Sequence, residues 1–531
     1  MNSAVDTKVP EYAADVLVVG GGGSGLAASI EARSLGRTVI LLEKNPELGG
    51  STIWSIGSYS ATCTPHQLRK GIKDNPEDHF EDMGKFNEIV KNGAWKGYDN
   101  VDNLELRRLL VYNCSETFRW LQSMGVRFFG PNLESPHRKP RMHNVLPNSR
   151  AYGYWLGRHA RKIGVDIRTE RRASRMILDG ERVIGMECTR PDGSLERYFS
   201  RGGIVLSCGD YAAGEEMKRR YAKPELVTMK TSCNPANTGD GHLMAMEQLG
   251  AQVLNSHMVA ARVRFVAPQV KKLLHRLPPW RPLTMFMEFA LEYMPDWLLR
   301  PFIMSFLTTV LEAQPSLFKH GAILVNQRGE RFCDELDHPE LKLVDQPEHM
   351  AYIVFDDRLA KKYSQFPNFV STAPGIAYAY VPDYQRSRRD IFQKASTIEG
   401  LAARIGVDPQ TFAAAIRRSN AAVTESAGGK PSEAFTVEQG PFYAMGPVSC
   451  FVKGTDAGLA INGKLEILGK NGVPVPGLYG AGLLGQGGML IEGHGHHIGW
   501  AFTSGRLAGR SAAYLANSTD FTEEGLEKAA G

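Results

Sequence analysis

Three histidines lie close together in a glycine-rich segment near the C-terminal end of the chain. His494, His496 and His497 fall between Gly493 and Gly499 in the sequence GHGHHIG. Because an imidazole titrates near neutral pH, it can donate or accept a proton during a reaction. We expect His494 or His496 to act directly in proton transfer. The alternative is that both imidazoles only hydrogen-bond the backbone of the loop.

Four further side chains could move a proton or polarise a carbonyl group: Tyr152, Tyr154, Tyr352 and Arg358. A tyrosine in a folded protein is commonly a packed aromatic ring whose hydroxyl has a partner. Arg358 follows two aspartates and could equally be a surface residue at the start of a helix. The sequence alone leaves the proton-transfer residue open among these four side chains and the two histidines.

The N-terminal stretch Asp15–Lys44 has the pattern of a dinucleotide-binding unit. An apolar, β-branched run, Val16–Val19, precedes a glycine turn, and a helical pattern follows at Ser24–Leu35. A second apolar run, Thr38–Leu42, ends directly before an acidic residue. The pattern predicts strand, tight turn, helix and strand. In such a unit the helix N-terminus offers free N–H groups and partial positive charge to a pyrophosphate.

Within this stretch Gly20, Gly22 and Gly25 have the spacing G-x-G-x-x-G. The first glycine permits the turn, the second lets the backbone approach the pyrophosphate, and the third lets the helix pack on the strand. Glu43 lies where a carboxylate can accept hydrogen bonds from ribose hydroxyls. The predicted nucleotide contacts of this unit are Gly20, Gly22, Gly23, Ser24, Gly25, Glu43 and Lys44.

Composition and charge exclude several classes of protein. The chain has 531 residues, enough for about two to four domains. Its 43% hydrophobic and 22% charged residues indicate a globular protein, and a net charge of +5 gives no reason to expect a nucleic-acid partner. Seven cysteines without a C-x-x-C pair argue against a disulfide framework or a cysteine zinc site, and we predict no metal site. The polar N-terminus lacks the apolar core of a signal peptide, which favours a cytoplasmic protein.

Residues 262–311 allow two interpretations. Basic residues are frequent over 262–281, and residues 283–311 are strongly apolar with a few charges between them. The uncharged runs are too short to span a bilayer. The segment is either a helix pair packed inward or an interfacial hairpin that lies on a membrane with its basic residues at the headgroups. In the second case the cytoplasmic protein would contact the inner face of the membrane peripherally.

The chain resembles the flavoprotein family of fumarate reductases, succinate dehydrogenases and 3-ketosteroid dehydrogenases. The matching segments are the N-terminal fingerprint, GGST at 49–52, ILVNQRGERFCDE at 323–335, TIEGLAARIGVDP at 397–409, GPFYA at 440–444, and GLYGAG followed by GRLAG near the end. The resemblance implies an α/β fold, in which a Rossmann-like FAD-binding domain of the two-dinucleotide-binding-domain flavoprotein type carries an inserted α+β capping domain for the substrate. The implied divisions are 1–255 and 441–531 for the FAD-binding domain and 256–440 for the capping domain, with its apolar helical segment at 283–311.

The resemblance also implies FAD as the cofactor, and the absence of a histidine over residues 49–55 favours non-covalent binding. The last helix, predicted from about His497 to Leu515, would point its positive N-terminal end at the pyrimidine edge of the flavin. The further flavin contacts that the resemblance implies are Gly49, Gly50, Ser51, Thr52, Gly57, Ala173, Ser207, Gly209, Asp240, Gly482, Gly495, His497 and Ile498.

The reaction implied by the resemblance moves a hydride between a substrate carbon and the flavin, and a proton at the neighbouring carbon beside a carbonyl group. Relatives that reduce dicarboxylates carry an arginine in the loop before the last helix, where this chain has Ile491-Glu492-Gly493-His494. We therefore expect a small apolar ketone such as a 3-ketosteroid as substrate and an unidentified electron acceptor or donor as partner. The alternatives are a reductase of fumarate-like enoates and a flavin-bearing electron-transfer subunit.

Overall fold

The computed structural model describes residues 9–93, 95–267, 277–308, 312–373, 377–426 and 433–518. The predicted basic residues Lys271, Lys272, His275 and Arg276, and the end of the apolar segment at 309–311, lie outside these ranges. Within the described part, strands and helices alternate along the chain and form two units, each built on its own sheet.

The strands are, in chain order, β1 Glu11–Ala14, β2 Val16–Val19, β3 Val39–Leu42, β4 Ser58–Ser60, β5 Arg127–Asn132, β6 Met142–Leu146, β7 Asp166–Arg168, β8 Arg172–Asp179, β9 Arg182–Thr189, β10 Leu195–Ser200, β11 Ile204–Leu206, β12 Val253–Leu254, β13 Val259–Phe265, β14 Ile323–Asn326, β15 Met350–Phe355, β16 Ser371–Ala373, β17 Ala377–Ala379, β18 Phe392–Ala395, β19 Phe442–Thr455, β20 Gly458–Leu459, β21 Glu466–Leu468 and β22 Pro474–Gly480.

The α-helices are α1 Gly23–Ser34, α2 Pro65–Arg69, α3 Pro76–Asn92, α4 Leu104–Ser123, α5 Arg150–Lys162, α6 Glu215–Tyr221, α7 Asp240–Leu249, α8 Arg281–Tyr293, α9 Asp296–Leu307, α10 Pro315–Lys319, α11 Pro339–Leu343, α12 Asp357–Lys362, α13 Val381–Ser387, α14 Ile398–Ile405, α15 Pro409–Ser426 and α16 His496–Ser518. A short 3₁₀ helix, Gly50–Trp54, follows the first βαβ unit.

The first unit contains a sheet in the order β21-β22-β11-β2-β3-β7, parallel except for β21. All four residues of β2 are buried, as expected for a strand covered by helices on both faces. Helix α1 packs on α16, and a Cβ at Gly505 or Gly509 would come within 2.3 Å of the backbone oxygens of Ser24 or Ala28. The predicted strand, turn, helix and strand are confirmed, and so is the fold class.

A second, antiparallel sheet is inserted into this unit between β7 and β11. Strands β8, β9 and β10 form the predicted meander, and β1 pairs with β10 in parallel. The turn between β9 and β10 contains Asp192 and Gly193, and the Asp192 carboxylate accepts the backbone N–H of Ser194 at 3.0 Å. Residue Ala173 on β8 is buried in the core of the first unit. The meander therefore packs on the FAD-binding fold as an extension of it.

The inserted unit has a sheet in the order β13-β19-β15-β14, with β18 beside β19. Strand β19 begins at Phe442, after the predicted boundary at residue 440, yet it pairs with β13, β15 and β18. Strand pairing therefore favours a boundary after Thr455. At the other predicted boundary, β12, which ends just before residue 256, pairs with β20, which follows β19. The two connections between the units therefore lie side by side.

The apolar segment forms the helix pair α8 and α9, which carries large exposed side chains. On α8 the residues Met285, Phe286, Phe289 and Tyr293 are each more than half exposed, and Trp297 on α9 is 75% exposed. The opposite side of α8 is held to the first unit by an ion pair with β5. An outward apolar face is what the interfacial interpretation requires. None of the helices in the described ranges is long and apolar enough to cross a lipid bilayer.

Candidate flavin and substrate site

The glycine turn after β2 leaves open space at one glycine and none at the other two. A Cβ at Gly20 would lie 2.5 Å from the backbone oxygen of Ser207, and one at Gly25 would lie 1.8 Å from the oxygen of Gly20. A Cβ at Gly22 would meet nothing closer than the Cα of Gly50, at 3.9 Å. This geometry fits a pyrophosphate in front of Gly22 at the N-terminus of α1.

The acidic residue at the end of β3 is buried and oriented by the backbone. The Glu43 carboxylate accepts the N–H of Gly21 at 2.7 Å and the N–H of Asn45 at 2.8 Å. Burial raises the pKa of Glu43, although these two hydrogen bonds oppose the shift. The neighbouring Lys44 Nζ donates to Thr238 Oγ1 at 2.8 Å and to Asp240 at 3.1 Å. The acid thus stands where a ribose is expected beside the pyrophosphate.

The GGST segment lies directly against the glycine turn. The backbone N–H of Gly49 donates to Gly21 O at 2.8 Å, and the N–H of Gly23 donates to Thr52 Oγ1 at 3.2 Å. A Cβ at Gly50 would come within 3.1 Å of the Gly22 Cα. The structure therefore brings the two predicted glycine segments together, and FAD fits the cradle that they form.

Several of the remaining predicted flavin contacts are held by hydrogen bonds or close packing within the protein. The Ser207 hydroxyl donates to Val19 O at 2.8 Å. The N–H of Gly482 donates to Ser504 Oγ at 2.9 Å, and Gly57 O accepts the hydroxyl of Tyr152 at 2.9 Å. A side chain on Gly209 would lie 3.2 Å from the side-chain oxygen of Asn237. Backbone hydrogen bonds and close packing therefore fix the positions of these residues, and their contact with FAD stays a prediction.

The segment Gly493–Gly499, called the histidine loop below, is attached to β4, the strand that follows the GGST segment. The N–H of Ser60 donates to Gly495 O at 3.3 Å, and the Ser60 hydroxyl donates to His494 O at 2.7 Å. Gly495 has a φ of +91°, and a Cβ there would lie 2.4 Å from the Ser60 nitrogen. Because only glycine allows this approach, the sequence GHGHHIG can turn tightly into α16.

His494 forms a close pair with Glu134, a buried residue from the segment between β5 and β6. Its Nδ1 lies 2.5 Å from Glu134 Oε1, and its backbone N–H donates to Oε2 at 2.9 Å. Burial opposes ionisation of Glu134, but the hydrogen bonds and charge of His494 hold its pKa below the usual value. The His494 side chain is 39% exposed, so Nε2 is the nitrogen left for a substrate.

His496 differs from His494 because its imidazole is fully buried. Its Nδ1 donates to Glu492 O at 2.6 Å, and its Nε2 lies 3.0 Å from Nε2 of His79. Burial lowers the pKa of His496 to about 4, so the ring is neutral near pH 7. The predicted alternative, a histidine that serves the structure of the loop, matches this arrangement better than direct contact with a substrate.

His497 pairs with an acidic residue at the end of the long strand β19. Its Nε2 lies 2.8 Å from Asp456 Oδ1. Burial acts to lower the pKa of His497, but the hydrogen bond and charge of Asp456 raise it above its usual value. Ile498, the next predicted flavin contact, packs against the core of the first unit. The loop thus presents two histidines, each with its own carboxylate.

Among the described contacts, none joins the other predicted proton-transfer residues to His494 or Glu134. Tyr152 is buried, and its hydroxyl proton is donated to a backbone oxygen. Tyr154 is exposed on α5 beside Trp155. Tyr352 lies on β15, and Arg358 on α12 binds Asp356 and Thr436. The described contacts of these last two residues all lie within the inserted unit.

Sequence reasoning missed both acidic partners of the histidine loop. Glu134 stands in an irregular segment, 360 residues before His494, and no periodicity singles it out. Asp456 directly follows a strand. A third residue, Asp210, follows β11, accepts the Asn237 amide at 2.5 Å, and accepts the N–H of Thr455 at 3.2 Å. Asp210 could have been predicted as a site residue from the sequence, because ligand sites form at the carboxyl ends of parallel strands.

Comparison with known proteins identifies close counterparts of this architecture. The sequence matches a family model described as FAD binding domain over residues 15–268 and 301–490. NADH:fumarate oxidoreductase of Klebsiella pneumoniae is 26% identical over 94% of this chain and 47% of its own length. Probable fumarate reductase Ifc3 of Shewanella frigidimarina is 27% identical over 95% of this chain and 75% of its own length. The chain thus spans about half of the first relative and three quarters of the second.

A solved structure shows the same fold. The open conformation of a flavocytochrome c3 fumarate reductase superposes with a TM-score of 0.71 at 24% identity, over 96% of this chain and 79% of the other. The alignment covers both the sheet-based unit that carries the glycine cradle and the inserted unit. The resemblance predicted from the motifs is confirmed at the level of the fold and the cofactor.

Proposed function

Since this chain belongs to the FAD binding domain family, we propose that it is an FAD-dependent oxidoreductase that acts on a carbon–carbon bond next to the carbonyl group of an apolar ketone. When bound, FAD supplies the hydride donor or acceptor. The chain supplies the proton transfer at the neighbouring carbon and the surface that selects the substrate. A natural electron donor or acceptor outside this chain completes the reaction.

We assign the proton transfer to His494. Glu134 binds Nδ1, which fixes the tautomer and the orientation of the ring, and Nε2 makes no hydrogen bond to the described residues. A histidine oriented in this way is suited to serve as general acid or general base.

The charge of the histidine loop is the observation that carries the substrate class. Glu134 and Glu492 flank His494, and Asp456 holds His497. The carboxylates of Glu134 and Glu492 repel an anionic substrate, and no arginine stands in the segment Ile491–His497 to bind one. A neutral carbonyl compound avoids this repulsion. The apolar helix pair of the inserted unit is consistent with a substrate of low polarity.

A reductase of fumarate-like enoates is the second candidate. The two curated relatives carry names of fumarate-reducing enzymes and align along nearly the whole chain. In addition, the electrostatic field of Lys453 reaches His497, so one cation stands near the loop. Under this alternative, Lys453 would hold the substrate carboxylate, with no arginine in the loop to assist it.

Anaerobic turnover with artificial electron donors and acceptors separates the two candidates. The panel contains 3-ketosteroids with and without a ring double bond, together with fumarate, acrylate and urocanate. We expect flavin oxidation or reduction with at least one ketosteroid and none with the three acids. Turnover of the acids alone would overturn the apolar-ketone proposal and point to Lys453→Ala as the next variant.

We further propose that the α8–α9 pair contacts an anionic membrane surface. The exposed face of α8 carries Phe286, Phe289 and Tyr293, and Trp280 and Trp297 lie at its two ends. Tryptophan and tyrosine favour the headgroup region, where an amphipathic ring has one apolar and one wet side. Because Glu288 on the other side binds Arg127 at 2.7 Å, the apolar face is turned away from the FAD-binding unit.

Two basic side chains stand near α8, on the side that faces the FAD-binding unit. Arg281 begins α8 and lies over the Trp155 ring, and the exposed Arg69 lies 3.7 Å from Glu288. Each basic residue near an anionic leaflet contributes about 1 kcal/mol. The aromatic residues therefore carry the preference for a lipid headgroup layer, and the basic residues add a smaller electrostatic attraction to anionic lipid.

Flotation with liposomes tests this contact. We expect the protein to float with vesicles that contain phosphatidylserine and to remain at the bottom with purely zwitterionic vesicles. The double variant Phe286→Glu/Phe289→Glu should abolish flotation, because it places two charges on the apolar face. Leu178→Glu/Leu195→Glu changes two exposed leucines on the distant meander and should float normally. If the wild-type protein stays at the bottom with both lipids, the membrane proposal is wrong.

A further inference from the structure

Three buried histidines from distant parts of the chain meet beneath the histidine loop. His79 comes from the first turn of α3, His137 from the segment between β5 and β6, and His496 from the start of α16. One ring nitrogen from each residue lies within 4.8 Å of the other two. All three imidazoles are buried, so bulk water does not solvate the nitrogens that face one another.

Hydrogen bonding inside the protein does not satisfy this cluster. Nδ1 of His496 donates its proton to Glu492 O. Nε2 of His496 therefore carries a lone pair, and it lies 3.0 Å from Nε2 of His79. Nδ1 of His79 and Nε2 of His137 are buried without a hydrogen-bond partner. Leaving a buried polar atom unpaired costs roughly 1–3 kcal/mol, so a group that binds Nε2 of His137 is expected. The Nε2 atoms of His79 and His496 face each other beside it.

We propose that His79, His137 and His496 bind one divalent transition-metal ion, with Zn²⁺ as the best match. Three imidazole nitrogens are a known ligand set for Zn²⁺, and a water molecule can take the fourth position. Imidazole also suits copper, nickel and iron(II), so the choice among these metals follows availability and geometry. Mg²⁺ and Ca²⁺ are excluded because they prefer oxygen ligands.

The surroundings of the cluster orient its ligands and balance the charge. Arg141 Nη1 donates to Nδ1 of His137 at 2.9 Å. An ion at Nε2 therefore requires the other tautomer, in which Nδ1 carries the proton and faces Asp82 Oδ2, 3.9 Å away. The buried Arg141 guanidinium is itself paired with Asp74 and Asp82, at 2.7 and 2.6 Å, so its charge is compensated. The carbonyl of Glu492 fixes the tautomer of His496. Acceptors such as this carbonyl commonly orient the histidine ligands of a metal.

The ion would have a positioning role rather than a catalytic one. It would tie α3 and the segment that carries Glu134 to the start of α16, two residues after His494. Both members of the proposed proton-transfer pair would then lie within three residues of a metal ligand. Loss of the ion should loosen the loop while leaving the glycine cradle around FAD in place.

Metal titration of the FAD-loaded enzyme tests the site. The protein is treated with a chelator, freed of the chelator, and titrated with Co²⁺, which reports its coordination through visible absorption. We expect one Co²⁺ per chain, a tetrahedral spectrum, and displacement by Zn²⁺. His79→Gln and His137→Gln should each weaken binding at least tenfold, because each removes a ligand.

A matched control comes from another buried histidine. His242 is fully buried with both ring nitrogens unpartnered, yet it lies outside the cluster. His242→Gln should therefore bind Co²⁺ as the wild type does. If the wild-type protein binds no stoichiometric Co²⁺ or Zn²⁺, the His79–His496 contact is a hydrogen bond only and the proposal is overturned. Equal Co²⁺ affinity of His137→Gln and the wild type would overturn it as well.

Discussion

Replacement of His494 by alanine should leave FAD bound and lower the rate of turnover by roughly two to four orders of magnitude, the usual contribution of a general acid or base. The imidazole is the group that Glu134 orients, and its Nε2 is open to a substrate. The glycine cradle lies in other segments of the chain, so the flavin absorbance should be unchanged. The measurement is single-turnover reduction or oxidation of the bound flavin by the substrate.

Two further variants separate chemistry from structure at His494. Imidazole added to His494→Ala should restore part of the rate, because a small base can enter the space that the side chain leaves. Glu134→Gln keeps the size of the side chain but removes its charge, and we expect an intermediate loss. Tyr352→Phe and Arg358→Gln should keep the wild-type rate. A normal rate in His494→Ala would instead return the assignment to the tyrosines and Arg358.

Replacement of Gly22 by valine should abolish FAD binding without unfolding the protein. The new side chain would fill the space in front of the α1 N-terminus, where a Cβ meets only the Gly50 Cα at 3.9 Å. Since the φ of Gly22 is −73°, the backbone imposes no strain on valine. The readouts are flavin absorbance per chain and the far-ultraviolet circular dichroism of the purified variant.

The wild-type protein provides the reference for this experiment. It should be yellow and should release FAD on acid precipitation, because no covalent link is expected. Gly157→Ala is a suitable control: the glycine lies on α5 in the same unit, and its added Cβ would have ordinary contacts of 3.4 Å or more. Full flavin content in Gly22→Val would show that the pyrophosphate assignment is wrong.

The elements governed by local patterns were predictable, and the contacts between distant segments were not. The β-branched run at Val16–Val19 forms a strand with those bounds, and the last helix begins at His496, one residue before its predicted start. Both follow from residue type and spacing over a few positions. The pairing of His494 with Glu134 depends on how three segments pack, and no local pattern encodes it.

Two other differences have the same origin. The sequence treats His494 and His496 as equivalent, because both stand next to glycine; the fold buries one ring against His79 and leaves the other partly exposed. The boundary near residue 440 was drawn at a motif, whereas β19 (Phe442–Thr455) pairs with the inserted sheet.

The pairing of β11 with β22, and of α1 with α16, constrains the order in which the chain can fold during synthesis. The N-terminal glycine turn leaves the ribosome first, but the strand beside β11 and the helix over α1 are made only after residue 474. The inserted unit, whose last strand ends at Thr455, can complete its sheet earlier. Early folding of the inserted unit would keep β11 and α1 close to the place where β22 and α16 emerge. This proximity would speed the formation of their long-range contacts.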